Sequence, residues 1–167
     1  SPWSTTYLHF RWSQFTNYVT HMTAHPQRVY FADFFRFGGF RSGVEVGVAS
    51  GRFSEHMLLH GKPDSWIIVE PFPNQNLASR LPIVRSAAQY DDNSQIHETA
   101  RKTWAECGIN TNITFFPYMS LDDKVINAIP LNSLDFVYLD GAHDYKNVKA
   151  ELDPWFERVS PGGILAG

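Results

Sequence analysis

Apolar and polar positions follow different patterns in residues 1–41 and in the rest of the chain. Residues 1–41 are rich in aromatic side chains, and Pro26 and the pair Gly38-Gly39 interrupt them. Helical spacing predicts an N-terminal helix from five apolar positions, Leu8, Trp12, Phe15, Val19 and Met22. We expect residues 1–41 to form a helical layer packed on a sheet. The alternative, which is compatible with it, is that some of the aromatic side chains form a lid over a substrate pocket.

Short apolar runs alternate with helical patterns from Ser42 onward. The runs predict strands over residues 44–48, 66–69, 113–116, 134–139 and 163–166. The stretches between them predict helices over residues 52–60, 93–107, 120–130 with a cap at Ser120, and 145–159 with an interruption at Pro154. This alternation predicts an α/β fold with a doubly wound, mostly parallel sheet over residues 42–167.

The loop after the first predicted strand is the first candidate for ligand binding, because doubly wound sheets bind ligands beyond the carboxyl ends of their strands. It runs Gly47-Val48-Ala49-Ser50-Gly51, directly between a strand and a helix. Glycines at its two ends let the backbone turn tightly and approach a ligand closely. A G-x-x-x-G loop alone is a weak signal, since many such loops are only tight turns.

The second candidate is Glu70, at the end of the next predicted strand. A carboxylate at this place can accept hydrogen bonds from both hydroxyls of a ribose, although it can also be a solvated charge at a strand end. Together with the glycine loop it favours an adenosine-containing ligand. Ala49 stands where dinucleotide-binding loops carry a second glycine, which argues against a nicotinamide cofactor.

Composition and charge narrow the class of protein. A chain of 167 residues with 43% hydrophobic residues forms one folded domain and is not disordered. A net charge of -3 gives no basic surface for nucleic acid, and a single cysteine, Cys107, excludes a disulfide framework. No apolar run reaches the ~20 residues of a membrane span, so we expect a soluble cytoplasmic protein without a nucleic-acid or membrane partner.

Four motifs, in order, resemble those of class I S-adenosyl-L-methionine-dependent methyltransferases, and in particular the methyltransferase domain 24 family. They are VEVGVASGRF at residues 44–53, VEP at 69–71, LDFVYLDGAHDY at 134–145 and SPGGILAG at 160–167. The resemblance covers residues 42–167. It implies a Rossmann-like fold, S-adenosyl-L-methionine as cofactor, and methyl transfer to an oxygen of a small molecule or sugar.

The resemblance also implies roles for individual residues. The implied cofactor-binding residues are Glu45, Gly47, Ala49, Gly51, Glu70, Ser120 and Asp140. Of these, Glu45 and Gly47 would lie beside the methionine part and Glu70 at the ribose. Ser120 would lie near the adenine, and Asp140 would face the transferred methyl group.

Asp140 and His143 are the implied catalytic residues. A hydroxyl acceptor needs its proton removed, which a histidine with a pKa near ~6.5 can do, or its pKa lowered, which a divalent metal can do. In metal-dependent relatives the aspartate at this place binds magnesium, so Mg²⁺ at Asp140 is one option. The alternative is structural: Asp140-Gly141 forms a turn, and Asp144 caps the next helix.

The last expectations concern assembly and the competing functions. Relatives continue beyond the position of Gly167 with two more strands and, in metal-dependent members, with a further acidic ligand. We therefore expect residues 164–166 to form an apolar sheet edge, and a homo-oligomer through that edge or through the N-terminal segment. The alternatives are a non-catalytic methyltransferase-fold module for binding or assembly and, less favoured, a nucleotide-binding oxidoreductase.

Overall fold

The computed structural model describes residues 26–48, 51–71, 101–141 and 144–167. Its elements are α1 (Pro26–Phe37), β1 (Ser42–Val46), α2 (Arg52–His56, continued by a π-helical turn over Met57–Gly61), β2 (Ser65–Val69), α3 (residues 101–107), β3 (Asn112–Phe116), α4 (Asp123–Ile126), β4 (Leu134–Leu139), α5 (Tyr145–Phe156) and β5 (Val159–Ala166). The helix predicted over residues 8–22 and the beginning of the one predicted over 93–107 lie outside these residues.

The five strands form one parallel sheet in the order β3-β2-β1-β4-β5. β1 is central and pairs with β2 on one side and with β4 on the other. The sequence order reverses at β1, so the loops that leave β1 and β4 diverge to opposite sides of the sheet. This arrangement confirms the predicted doubly wound α/β fold.

Alternate side chains of each strand enter the two layers that cover the sheet. In β4, Phe136 and Tyr138 join the core beneath α1, α2 and α3, whereas Val137 and Leu139 join the core beneath α4 and α5. The first core is strongly aromatic: Phe35 of α1 lies edge-on to both Trp66 and Phe136. The described part of the N-terminal segment therefore is a helical layer on the sheet, while the division into residues 1–41 and 42–167 stays a prediction.

The end of the chain differs from the prediction, because α5 stops at Phe156 and Val159 already belongs to β5. Pro154 lies inside the last turns of α5 without ending it. β5 is an edge strand, and its register against β4 shifts between Leu134 and Phe136. An edge strand with such an irregularity tolerates Pro161, so β5 begins at Val159 and not at Gly163 as predicted. The sequence did not indicate this start, because Ser160, Pro161 and Gly162 are typical of a turn.

Two helix caps also bear on the predictions. Asp144 caps α5, since its carboxylate accepts a hydrogen bond from the backbone N–H of Asn147 (3.1 Å). The cap predicted at Ser120 is wrong: α4 is capped by Asp122, which accepts from the N–H of Lys124 (2.9 Å). None of the described helices is long and apolar enough to cross a membrane.

Candidate functional site

The carboxyl ends of the three central strands are tied together at the turn after β1. The N–H of Gly47 donates to the carbonyl of Val69 (2.9 Å), and the N–H of Asp140 donates to the carbonyl of Val46 (2.7 Å). Gly47 has a φ of 83°, and a Cβ there would overlap the backbone of Gly141. Only glycine fits both the left-handed conformation and the close approach, so this turn and the turn after β4 are in backbone contact.

Gly51 closes the same turn at the start of α2. Its φ is 77°, and its N–H donates to the carbonyl of Val48 (2.8 Å). Trp104 of α3 packs against it, so that a Cβ at Gly51 would lie 2.8 Å from the indole Nε1. The predicted tight glycine loop is therefore present at both of its ends, while Ala49 lies outside the described residues.

Glu70 faces this turn from the end of β2. Its carboxylate Oε2 accepts a hydrogen bond from the N–H of Val48 (2.7 Å), although β2 and the turn are separate elements. The residue is only 8% exposed, and its own N–H donates to the carbonyl of Phe116 in β3. The structure thus brings together the two points that the sequence predicts to grip one adenosyl ligand; the ribose contact itself stays a prediction.

Asp140 lies at the end of β4 and forms a two-pronged ion pair with Arg28 of α1. Arg28 Nη1 is 2.7 Å from Asp140 Oδ2, and Arg28 Nη2 donates to Asp140 Oδ1 at 2.9 Å. The guanidinium also lies over the Tyr138 ring, 5.8 Å from its centroid. Burial, and next the charge of Asp140, raise the pKa of the Tyr138 phenol. Asp140 is therefore held in place by α1.

Glu45 is a buried residue of the central strand β1, and its carboxylate contacts α2. The hydroxyl of Ser54 donates to Glu45 Oε2, and the indole N–H of Trp66 donates to the Ser54 oxygen (2.9 Å). Burial raises the pKa of Glu45 well above 4.5; the Ser54 hydrogen bond opposes this, and the negative charge of Asp140 adds to it. Its predicted contact with the methionine part of a cofactor is untested.

Ser120 does not cap α4, and instead its hydroxyl donates to the Oε1 of Glu151 in α5. Glu151 is 7% exposed, and its carboxylate lies 3.8 Å from the position a Cβ would take on Gly141. Glu151 therefore lies between the loop after β3 and the loop after β4. The predicted contact of Ser120 with an adenine ring stays a prediction, as does the role of His143, which lies outside the described residues.

The side chains around Asp140 do not fit a magnesium ion. Mg²⁺ takes oxygen ligands in a near-ideal octahedron, and a carboxylate that binds it has to offer an oxygen. Both Asp140 oxygens already face the Arg28 guanidinium. Within residues 26–48, 51–71, 101–141 and 144–167, no three His, Cys, Asp or Glu side chains are grouped so that they could hold a metal. We assign no step to a metal ion here.

Three residues of this region were missed by sequence reasoning. Glu151 had a detectable signal, because it lies four residues before the buried Trp155 and therefore on the inner face of α5. Ser54 lies between the buried Phe53 and Met57 but gives no chemical signal of its own. Arg28 had no signal at all, since its partner Asp140 is 112 residues away and only the folded sheet joins them.

A parallel sheet in this order, with a glycine turn facing a strand-end acid, is the architecture of doubly wound domains that bind nucleotide ligands. A family model of the methyltransferase domain matches residues 44–167. The chain therefore belongs to this methyltransferase domain family, as the four motifs predicted. No curated protein matches it.

Solved structures support the same fold at low sequence identity. An O-methyltransferase from Bacillus cereus in complex with SAH has 15% identity and a TM-score of 0.60, over 98% of this chain and 66% of that one. Cofactor-bound Rv0187 from MTB has 14% identity and a TM-score of 0.60, over 87% of this chain and 56% of that one.

A third similar structure is the O-methyltransferase TomG from Streptomyces achromogenes, involved in tomaymycin synthesis, in complex with SAM. It has 14% identity and a TM-score of 0.57, over 86% of this chain and 55% of that one. The chain thus spans between 55% and 66% of the length of these three structures. At such identity the likeness establishes the fold and leaves the substrate open.

Proposed function

We propose that this domain binds S-adenosyl-L-methionine between the turn after β1 and Glu70, and that it takes part in methyl transfer to an oxygen of a small molecule. The observation that carries the proposal is the approach of the Glu70 carboxylate to the Gly47–Gly51 turn, where Oε2 accepts the Val48 N–H at 2.7 Å. Family membership supports the same interpretation, as do the SAM and SAH bound in two of the similar structures.

The residues at the carboxyl end of each strand have a different role in the proposed site. Glu70 holds the ribose hydroxyls, because a carboxylate that is fixed by one backbone N–H presents a rigid acceptor to a sugar. The turn at Gly47 lets the ligand approach the backbone closely, since no side chain stands between them. Asp140, at the end of the neighbouring β4, is proposed to lie beside the part of the cofactor site where the methyl acceptor binds. Ser120, whose hydroxyl donates a hydrogen bond to Glu151, is proposed to lie beside the adenine.

Methyl transfer from a sulfonium is an in-line displacement. The acceptor oxygen forms a bond to the methyl carbon while the bond between that carbon and sulfur breaks. The electron pair of the broken bond stays on sulfur. The protein has to hold the acceptor in line and to accept its proton, and positioning alone can supply several kcal/mol. We assign the proton to His143, three residues after Asp140, because a histidine side chain can act as a general base and because of its place in the sequence motif.

Calorimetric titration with S-adenosylhomocysteine tests the cofactor proposal. Glu70→Ala should weaken the affinity by about 1–3 kcal/mol, because a charge-assisted hydrogen bond to the ribose is lost. Glu70→Gln keeps an oxygen that can accept the Val48 N–H, and should therefore retain stability while still losing affinity. Glu106→Ala, which removes an exposed carboxylate on α3, is the matched control and should bind as the wild type does.

Two outcomes would contradict the proposal. A folded wild-type protein that gives neither heat nor a thermal shift with millimolar S-adenosylhomocysteine would favour the non-catalytic module instead. Wild-type affinity in both Glu70 variants would remove Glu70 from the ribose site, while it would leave the fold and the family untouched.

A further inference from the structure

We propose that the Arg28 guanidinium takes the place of a divalent cation at Asp140, so that the carboxylate at the end of β4 is neutralised and held by the chain itself. The catalytic part of this inference rests on the proposed function, whereas the charge pair and the exclusion of metal from Asp140 can be tested without it. The inference starts from the mismatch between Asp140 and the Mg²⁺ that the family resemblance implies.

The geometry of the pair is that of a guanidinium fork on a carboxylate. Two nitrogens of Arg28 reach the two oxygens of Asp140, at 2.7 and 2.9 Å. A single planar group thereby engages both atoms with which the carboxylate would bind a metal. A divalent ion at the same oxygens would have to displace the fork and would meet its positive charge.

Arg28 is held at this place by its surroundings and is not a loose surface charge. Its guanidinium lies over the ring of Tyr138, and the Tyr138 ring in turn contacts Phe31, with 5.4 Å between centroids. One and two turns further along α1, Ala32 and Phe35 are fully buried against the sheet. The Asp140 side chain is 13% exposed and that of Arg28 34%, so the pair is partly shielded from solvent.

Acidic groups on neighbouring elements are already engaged within the protein, among them Glu151, which accepts the Ser120 hydroxyl. The Glu45 carboxylate is fully buried and accepts the Ser54 hydroxyl. Asp144 caps α5 through the N–H of Asn147. A metal at Asp140 that drew a further oxygen from Glu45 or Glu151 would therefore cost the protein an internal hydrogen bond.

The chemical consequence concerns the acceptor. The pair of Arg28 and Asp140 carries no net charge. Beyond the effect of burial, Asp140 raises the pKa of the neighbouring Tyr138 phenol more than Arg28 lowers it. The pair therefore does not lower the pKa of an acceptor hydroxyl as a metal would, and a base of the protein has to take the acceptor's proton. Arg28 thus acts as a positioning residue: it fixes the Asp140 carboxylate and neutralises its charge. A divalent metal is then not expected to bind at Asp140.

The metal part is tested by titrating the wild type and Asp140→Asn with Mn²⁺ and following the free ion by electron paramagnetic resonance. We expect the two proteins to bind Mn²⁺ equally, because Asp140 offers it no oxygen. Wild-type binding that is about tenfold or more tighter than that of Asp140→Asn overturns the proposal. Asp140→Ala replaces Asp140→Asn if the latter does not fold.

The pair itself is tested by a double-mutant cycle on the urea midpoint, with Arg28→Ala, Asp140→Asn and the combined variant. Coupled residues give a combined midpoint shift smaller than the sum of the two single shifts, and additive shifts overturn the pair. Arg28→Lys is the matched control, and it also serves if Arg28→Ala does not fold: it keeps the charge but not the fork, and should lose part of the coupling.

The two proposals fail separately. Absence of S-adenosylhomocysteine binding together with a coupled pair and equal Mn²⁺ binding removes the cofactor function and leaves the Arg28 assignment. Normal S-adenosylhomocysteine binding together with an Asp140-dependent Mn²⁺ site does the reverse.

Discussion

At the scale of single residues, Glu45 is an acidic side chain whose burial raises its pKa. Its side chain is 1% exposed in the central strand, and its carboxylate accepts a hydrogen bond from the hydroxyl of Ser54. Asp140 adds a like charge and Arg28 an opposite one. Because burial disfavours the ionised carboxylate, the folded protein holds a proton on Glu45 more tightly than the unfolded chain does.

Stability should therefore depend on pH through Glu45. The stabilisation from this proton is fully present below pH 4.5, the ordinary value of the group, and is lost as the pH rises through the raised pKa of the folded state. Glu45→Gln removes this loss and keeps an oxygen for the Ser54 hydroxyl. The difference in unfolding free energy, variant minus wild type, should grow as the pH rises from 4.5.

Urea denaturation of the apoprotein at a series of pH values measures this difference. Glu106→Gln, at an exposed site on α3, provides the control and should give a difference that does not change with pH. Parallel curves for wild type and Glu45→Gln would show that the Glu45 pKa is the same in both states.

At the scale of elements, the contact between the turns after β1 and β4 sets the shape of the site. Gly47 combines a positive φ with a backbone neighbour, Gly141, whereas Gly162 has a positive φ of 87° and no atom within 4 Å of the position that a Cβ would take. The two glycines therefore separate the cost of the backbone conformation from the cost of the contact.

Gly162→Ala should lower the unfolding free energy by about 1–2 kcal/mol, the cost of a left-handed conformation for a residue with a Cβ. Gly47→Ala should cost clearly more, because the added methyl also forces β1 and β4 apart at their ends. Urea denaturation of both variants checks this, and a failure of Gly47→Ala alone to fold fits the expectation. Equal losses for the two variants would mean that the turns can separate freely.

Elements with a strong local pattern could be predicted from the sequence, and those fixed by distant partners could not. The strands at Val46, Val69 and Leu139 follow from short, mostly apolar runs, and the glycine turn and Glu70 follow from their position at strand ends. The start of β5 was placed too late, because Pro161 and Gly162 are typical of a turn and only pairing with β4 makes the segment a strand.

The candidate site divides in the same way. The approach of Glu70 to Val48 follows from the parallel topology, in which neighbouring strands end at one edge of the sheet. The partners of Ser120 and Asp140 could not be predicted. Glu151 and Arg28 reach them from other helices, and side-chain pairing between elements leaves no spacing pattern in the chain.

At the scale of the whole molecule, ligand binding and stability are linked, because a ligand that binds only the folded state stabilises it by mass action. S-adenosylhomocysteine at a hundred times its dissociation constant should add about 2.7 kcal/mol to the unfolding free energy. For a domain of this size that corresponds to a rise in unfolding temperature of roughly 5–11 °C.

Differential scanning fluorimetry at increasing S-adenosylhomocysteine measures this rise. In Glu70→Ala the curve should move to higher ligand concentration, whereas Glu106→Ala should superimpose on the wild type. A rise of the same size with adenosine-free methionine derivatives alone would place the binding energy away from Glu70.

Association through the β5 edge or the N-terminal segment stays a prediction, which sedimentation at rising protein concentration would test.

The span between Arg28 and Asp140 has a consequence for how the protein is made. The two residues are 112 positions apart, and at ~5–20 residues per second a ribosome needs roughly 6–22 s to deliver the second after the first. During that interval Phe35 has no Phe136 to pack on, and β1 lacks one of its two neighbours. Nascent chains that stop short of β4 should therefore be clients of chaperones, and translation pauses before Leu134 should lower the yield of native protein.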